Sequence, residues 1–210
     1  MSSHYEEEAE VEQLRRWWRD NWKALAAGLA LGLAAIFGWQ RWQEHQTRTA
    51  VTASAMYEDL KKASAGKPDE AKALAQKLTE SFGDTPYAAQ AQLLMAQQAA
   101  GRNDWADAQQ RLQWVADRSA DDGLKKIARL RLARVLWQQD KPADALKQLD
   151  IADDDAFAPL YLELRGDITL AQGDRGAART AYEKALKANP PAAARDGLQH
   201  KLDDLADAKS

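Results

Sequence analysis

The sequence predicts an all-α protein in which a single N-terminal transmembrane helix precedes a solenoid of about four helical hairpins and a terminal helix. Three observations lead to this fold class. The aliphatic residues are mostly alanine and leucine, one uncharged apolar run lies near the N-terminus, and glycine or proline turns recur at regular spacing. Alanine and leucine lose little conformational freedom in a helix, so their abundance favours helix over strand. A chain of 210 residues has room for one anchor and one domain of ordinary size.

The transmembrane helix is predicted at residues 24–42. Residues 24–40 carry no charge over 17 positions, which is at the short end of what spans a bilayer. Lys23 can extend its ammonium group toward the membrane surface and lengthen the effective span. Indole rings favour the membrane interface, and tryptophans flank the run on both sides. These tryptophans are Trp17, Trp18, Trp22, Trp39 and Trp42.

Two other interpretations of the apolar run fit less well. A cleavable signal peptide needs a small-x-small site soon after the run, but residues 38–42 read Gly-Trp-Gln-Arg-Trp. The helical core of a soluble domain does not need tryptophans at both ends. We therefore interpret residues 24–42 as a retained anchor.

The basic residues around the anchor predict its orientation. Four precede it, and only Arg41 and Arg48 lie in the next twenty residues. Because basic residues are retained on the cytoplasmic side, residues 1–23 are predicted to be a cytoplasmic tail and residues 43–210 an exported domain. The four preceding residues are Arg15, Arg16, Arg19 and Lys23.

Gly28 and Gly32 form a GxxxG motif within the span. Glycines four residues apart leave a flat strip where a second helix can approach closely, which predicts a helix-packing site. The alternative is that glycine is simply common in membrane helices.

Turns marked by glycine and proline divide the rest of the chain into apolar-periodic stretches. They occupy residues 65–71, 102–108, 140–145 and 172–178. Each turn leads to an alanine, and successive alanines lie 37, 37 and 33 residues apart: Ala71, Ala108, Ala145 and Ala178. Tetratricopeptide repeats have a period of about 34 residues, so the spacing predicts a tetratricopeptide-like solenoid.

Other residues keep a fixed distance from these alanines. Small residues lie twelve positions before three of them, at Ala96, Ala133 and Gly166. Large residues lie four positions after the same three, at Leu112, Leu149 and Tyr182. We expect the two helices of each hairpin to cross closely at the small residues. Asp59 occupies the small position of the first hairpin, which is the weakest match.

Two helix ends and a terminal helix are also predicted. Thr85 and Pro86 are typical of an N-cap followed by a first-turn proline. Residues 192–208 carry Leu198, Leu202 and Leu205 on one helical stripe. This stripe predicts a terminal helix that covers the end of the solenoid.

The sequence offers little for catalysis, metal binding or nucleic-acid binding. It has no cysteine, so thiolate zinc sites and disulfides are excluded. Residues 42–210 carry 24 basic and 26 acidic side chains, a balance that disfavours binding to phosphate backbones. The acidic residues between 150 and 155 lack calcium-loop spacing and predict a solvated loop. No catalytic residue, cofactor or metal site is predicted; the three histidines His4, His45 and His200 are far apart.

Several stretches, taken in order, resemble one protein family. They are DNWKALA at 20–26, GKPD at 66–69, LRLARV at 130–135, ADALK at 143–147, LRGD at 164–167 and GAAR at 176–179. The chain thereby resembles the YfgM family, the ancillary subunit of the bacterial SecYEG translocon. The resemblance implies a periplasmic tetratricopeptide-like domain tethered in the inner membrane. It also implies association with SecYEG and the membrane-bound chaperone PpiD, and hand-over of exported polypeptides to periplasmic chaperones.

Stacked hairpins create a concave surface lined mainly by the first helix of each pair. The repeat register predicts a protein-binding groove there. Its predicted residues are Leu93, Gln97, Leu130, Arg134, Trp137, Glu163 and Asp167. For Leu130 and Trp137, packing into the next hairpin is an equally good interpretation.

Three hypotheses for function follow. The first is a membrane-tethered adaptor or chaperone-like subunit beside the translocon. The second is a structural scaffold for another envelope complex, such as cytochrome maturation or cell-wall machinery. The third, an enzyme, lacks a visible set of catalytic residues.

Overall fold

A computed structural model describes residues 3–207, and every regular element in that range is helical. The helices are α1 (Ser3–Ala63), α2 (Pro68–Ser81), α3 (Pro86–Gly101), α4 (Trp105–Arg118), α5 (Asp122–Gln138), α6 (Pro142–Lys147), α7 (Ala158–Ala171), α8 (Arg175–Lys187) and α9 (Ala192–Asp207). The predicted limits at residues 1 and 210 lie outside the described residues. So do the side chains of residues 3–10, which include His4.

The first of two compact units extends to Val51 and consists of the greater part of α1. Among the described helices, α1 is the one with a stretch long and apolar enough to cross a membrane, by length and composition. Residues 24–42 are all exposed, which is unlike the core helix of a soluble domain.

The second unit begins at Thr52 and holds four hairpins and a terminal helix. The end of α1 shares an apolar cluster with α2. Next, α3 pairs with α4, α5 with α6 and α7 with α8, while α9 packs on α8. The four alanines that set the sequence period are all fully buried at the centre of these hairpins. Leu198 and Leu205, which belong to the predicted stripe of α9, are buried in the last apolar cluster. The predicted tetratricopeptide-like arrangement is confirmed.

One backbone turn closes three of the hairpins. A residue in the left-handed region follows the first helix at Asn103, Asp140 and Gly173, with φ between 58° and 87°. In each turn the next N–H bonds a carbonyl five residues earlier, at 2.9–3.0 Å. This bond pattern satisfies carbonyls at the helix end that would otherwise lack a partner. Asp104 and Asp174 then cap the following helices by accepting bonds from N–H groups three residues ahead.

The third hairpin departs from the others because its second helix is short. α6 has 6 residues, whereas α2 and α4 each have 14 and α8 has 13. Acidic residues at 150 and 153–155 follow it, and carboxylates are unfavourable at the negative end of a helix. The chain therefore continues as an irregular loop to Phe157, as predicted for the acidic segment.

The predicted helix start at Thr85 and Pro86 is confirmed, and the weak match at Asp59 has a structural reason. Thr85 stands at the N-cap of α3, but its hydroxyl donates to the Phe82 carbonyl at 2.7 Å instead of accepting a helix N–H. Asp59 is exposed and bonds Lys62, so it does not mark a helix crossing. Ala53, Leu60 and Ala63 are the buried residues of that segment.

Candidate protein-binding surfaces

The predicted close contact in the last hairpin is confirmed at Gly166. A Cβ atom at this position would lie 2.3 Å from Cε1 of Tyr182. Tyr182 is 1% exposed, and its hydroxyl donates to Oδ1 of Asp167 at 2.8 Å. Burial, and then the bond to Asp167, raise the pKa of Tyr182 above its usual value. The glycine therefore lets α7 and α8 approach at a point where a buried ring fills the space.

Two of the predicted groove residues are engaged by the terminal helix. Nζ of Lys201, on α9, donates to Glu163 Oε1 and to Asp167 Oδ1, both at 2.7 Å. Burial opposes the charge on Lys201, but the two bonds outweigh it and raise the pKa of the ammonium group. Glu163 and Asp167 thus face a cation of the same chain, and the inner side of the last hairpin is closed.

Three apolar groove residues belong to the hydrophobic core. Leu93 and Leu130 are 7% and 6% exposed and lie in the central apolar cluster, against which the half-buried Trp137 packs. This cluster contains residues of successive hairpins, as expected where adjacent hairpins pack against each other. The structure therefore buries Leu93 and Leu130 and leaves Trp137 half-buried against the core.

Gln97 and Arg134 do line an open pocket. It lies between α3 and α5, has a volume of about 350 Å³, and is called the α3–α5 groove below. Alanine, leucine and valine side chains form its apolar floor, with Trp105 beside them. The nine lining residues are Ala96, Gln97, Ala100, Trp105, Leu112, Arg131, Arg134, Val135 and Gln138.

Sequence reasoning missed Trp105, Arg131 and Gln138 at this site. Arg131 and Gln138 lie three before and four after Arg134, so helical periodicity places all three on one face of α5. Trp105 belongs to α4, and only the folded hairpin brings it to the groove. The α5 spacing was a signal that could have identified two of the three.

The polar rim of the groove is not satisfied within the protein. Within the part of the chain that the structure describes, the side chains of Gln97, Arg131, Arg134 and Gln138 have no hydrogen-bond or ion-pair partner. Of the other cations of α5, Lys125 pairs with Asp122 and Lys126 with Asp155, while Arg129 has no ion-pair partner within the described residues. The groove thus combines an apolar floor with donors that are free to bind a ligand.

The glycine strip of α1 is unobstructed within the first unit. Neither Gly28 nor Gly32 has an atom within 4 Å of the position a Cβ would take, apart from the helix's own backbone. Both are exposed. The arrangement is compatible with helix packing, and the packing site stays a prediction.

Metal-ligating side chains are dispersed in the described residues, where no group of three can hold an ion. His45 and His200 are exposed on different helices. Asp155 bonds Lys126 and also accepts the N–H of Phe157, and these bonds lower the pKa of its carboxyl group. Its oxygens therefore serve the loop structure.

Helical hairpins of this period, joined by a repeated turn and crossing at small residues, define a tetratricopeptide-like repeat protein with an N-terminal apolar helix. A family model described as "Tetratricopeptide repeat-like domain" matches residues 15–207.

Curated relatives place the chain more narrowly. It is 36% identical to the "Ancillary SecYEG translocon subunit" of Escherichia coli (strain K12), over 98% of this chain and 100% of the relative. It is 33% identical to the protein of that name from Haemophilus influenzae, over 88% and 91%, and 31% identical to the one from Neisseria gonorrhoeae, over 98% and 100%. The chain belongs to this family of ancillary SecYEG translocon subunits. No solved structure matches it.

Proposed function

We propose that this chain is a non-enzymatic adaptor, tethered in the bacterial inner membrane by residues 24–42, that associates with the SecYEG translocon. The observation that carries the proposal is the similarity, over nearly the whole length, to relatives named as ancillary subunits of that translocon. The apolar stretch of α1 and the repeat domain supply the two parts such an adaptor needs, an anchor and a binding surface.

The adaptor's N-terminus is cytoplasmic and its repeat domain periplasmic in this proposal. The excess of basic residues before the anchor supports this orientation. In the periplasm the domain contacts PpiD and exported polypeptides and helps to transfer the polypeptides to periplasmic chaperones. The α3–α5 groove supports this role, because an apolar floor with free polar groups at its rim suits an extended chain.

Site-specific photocrosslinking in intact membranes tests the groove. A photoreactive residue at Gln97 is expected to capture exported polypeptides and PpiD. The matched control is the same residue at Glu183, which is exposed on α8 and does not line the groove. Equal capture at both positions would contradict a role for the groove. Capture of cytochrome-maturation or cell-wall components instead would favour a scaffold of those complexes.

Copurification in mild detergent tests the anchor. Gly28→Leu and Gly32→Leu fill the flat strip and are expected to reduce the amount of SecYEG that copurifies. Gly38→Leu is the control, because Gly38 is equally unobstructed but lies outside the GxxxG spacing. If all three variants retain SecYEG, the strip has no part in the association. If the unmodified protein retains none, the adaptor proposal itself fails.

A further inference from the structure

We infer that the α3–α5 groove selects acidic segments: extended polypeptide whose carboxylates flank an apolar side chain. The inference rests on the proposed function, because it assigns the class of polypeptide that the groove accepts.

The cations of the groove lie on one face of α5. Arg131 and Arg134 are three residues apart, so their guanidinium groups leave the helix on the same side. Both residues are exposed, and neither has an ion-pair partner within the described residues. A guanidinium group can bind a carboxylate through two parallel N–H donors. Two such groups one helical turn apart provide paired sites for carboxylates.

Nothing in the groove cancels their charge. The nine lining residues include two arginines and no acid; α3 contributes alanines and Gln97, and α4 contributes Trp105 and Leu112. Positive charge beside a low-dielectric floor attracts anions and repels cations. The repeat domain is close to neutral overall. The positive potential of the groove therefore comes from its two arginines and not from the net charge of the domain.

The rest of the groove fits a polypeptide better than an isolated anion. A volume of about 350 Å³ with an apolar floor has room for a bulky apolar side chain against Trp105. The amides of Gln97 and Gln138 each carry a donor and an acceptor, as an extended backbone requires. In an extended strand alternate side chains share a face, and their neighbours point to the opposite face. An acidic–apolar alternation thus places apolar groups on the floor and carboxylates on the solvent side, where the exposed side chains of Arg131 and Arg134 can reach them.

The test measures peptide binding to the full-length protein in nanodiscs of zwitterionic lipid. The probes are fluorescein-labelled peptides of one length in which leucine alternates with glutamate, glutamine or lysine, and binding is followed by anisotropy. The glutamate probe is expected to bind about tenfold more tightly than the glutamine probe and to weaken as salt is raised. The lysine probe is expected to bind least.

Variants assign the preference to the groove. Arg131→Gln and Arg134→Gln are each expected to weaken binding of the glutamate probe about fivefold and to leave the glutamine probe unchanged. Arg129→Gln is the control, because it removes the same charge from an exposed position of α5 outside the groove. Arg134→Lys retains the charge and is expected to keep most of the preference. Circular dichroism of each variant shows whether it is folded.

The possible outcomes separate this inference from the adaptor role. Equal binding of the glutamate and glutamine probes overturns the acidic preference and leaves a polypeptide-binding groove. The acidic preference is also overturned if Arg129→Gln weakens binding of the glutamate probe as much as Arg134→Gln does. If no probe binds, both the preference and the groove's part in the proposed function are overturned. Association with SecYEG is judged separately, by copurification.

Discussion

Gly166→Ala places a methyl group inside the contact between α7 and α8. Its Cβ would lie 2.3, 2.5 and 2.9 Å from Cε1, Cδ1 and Cζ of Tyr182. The ring has little room to withdraw, because it is 1% exposed and its hydroxyl is bonded to Asp167, which also binds Lys201. Overpacking of this kind costs about 1–3 kcal/mol. Alanine returns about 0.5–1 kcal/mol of helix propensity, so the expected net loss in the free energy of unfolding is about 0–2.5 kcal/mol.

Urea unfolding of the full-length protein in mild detergent, followed by circular dichroism, measures this loss. Gly197→Ala is the matched control, because Gly197 lies within α9 and no other atom is within 4 Å of a Cβ there. That variant is expected to gain about 0.5–1 kcal/mol. Replacing Tyr182 with leucine in the Gly166→Ala background should cost less than in the unmodified protein. The reasoning is refuted if Gly166→Ala is as stable as Gly197→Ala.

Three further predictions concern a buried tyrosine, the terminal helix and the membrane topology. Burial raises the pKa of Tyr161 to about 12. The folded state therefore favours the neutral phenol, and this contribution to stability is fully present below pH 10 and is lost as the pH rises through about 12. Absorbance at 295 nm should show this late ionisation, and Tyr161→Phe should reduce the loss of stability above pH 10. Lys201→Met leaves Glu163 and Asp167 without their shared cation. This variant is expected to lower the free energy of unfolding by about 1 kcal/mol and to speed hydrogen exchange in α9. Lys201→Arg keeps the cation and should change neither. The chain has no cysteine, so a single cysteine can be introduced on either side of the anchor. An impermeant thiol reagent on intact spheroplasts should label Ser81→Cys and spare Ser3→Cys. The reverse result would place the repeat domain in the cytoplasm.

Local chemistry explains why the hairpins could be predicted. Turn residues such as Asn103 and Gly173 adopt positive φ at low cost, and small residues such as Gly166 recur at a fixed distance from buried alanines. These signals depend only on residues near in sequence. The length of α6 was not predicted, because its end depends on how the acidic segment after Leu149 competes with continuing the helix.

The candidate site was predicted only in part, because its composition depends on contacts between hairpins. Gln97 and Arg134 were found from the repeat register, but the same register predicted Leu93 on the groove, whereas Leu93 is buried in the central apolar cluster. The sequence likewise does not indicate that Gln92, a polar residue, is buried with only 7% of its surface exposed. It accepts a bond from Arg111 and donates one to Thr79, and so links α2, α3 and α4.

The terminal helix α9 forms the C-terminal end of the repeat array. α9 buries Leu198 and Leu205 against the apolar cluster of the last hairpin, and its outward side carries Asp196, Asp203 and Asp204, all exposed. A repeat array without such a cover ends in an apolar face that a second copy can adopt as its next repeat. At this end a second copy would meet exposed carboxylates in place of an apolar face. α9 therefore covers the apolar face at the C-terminal end of the array.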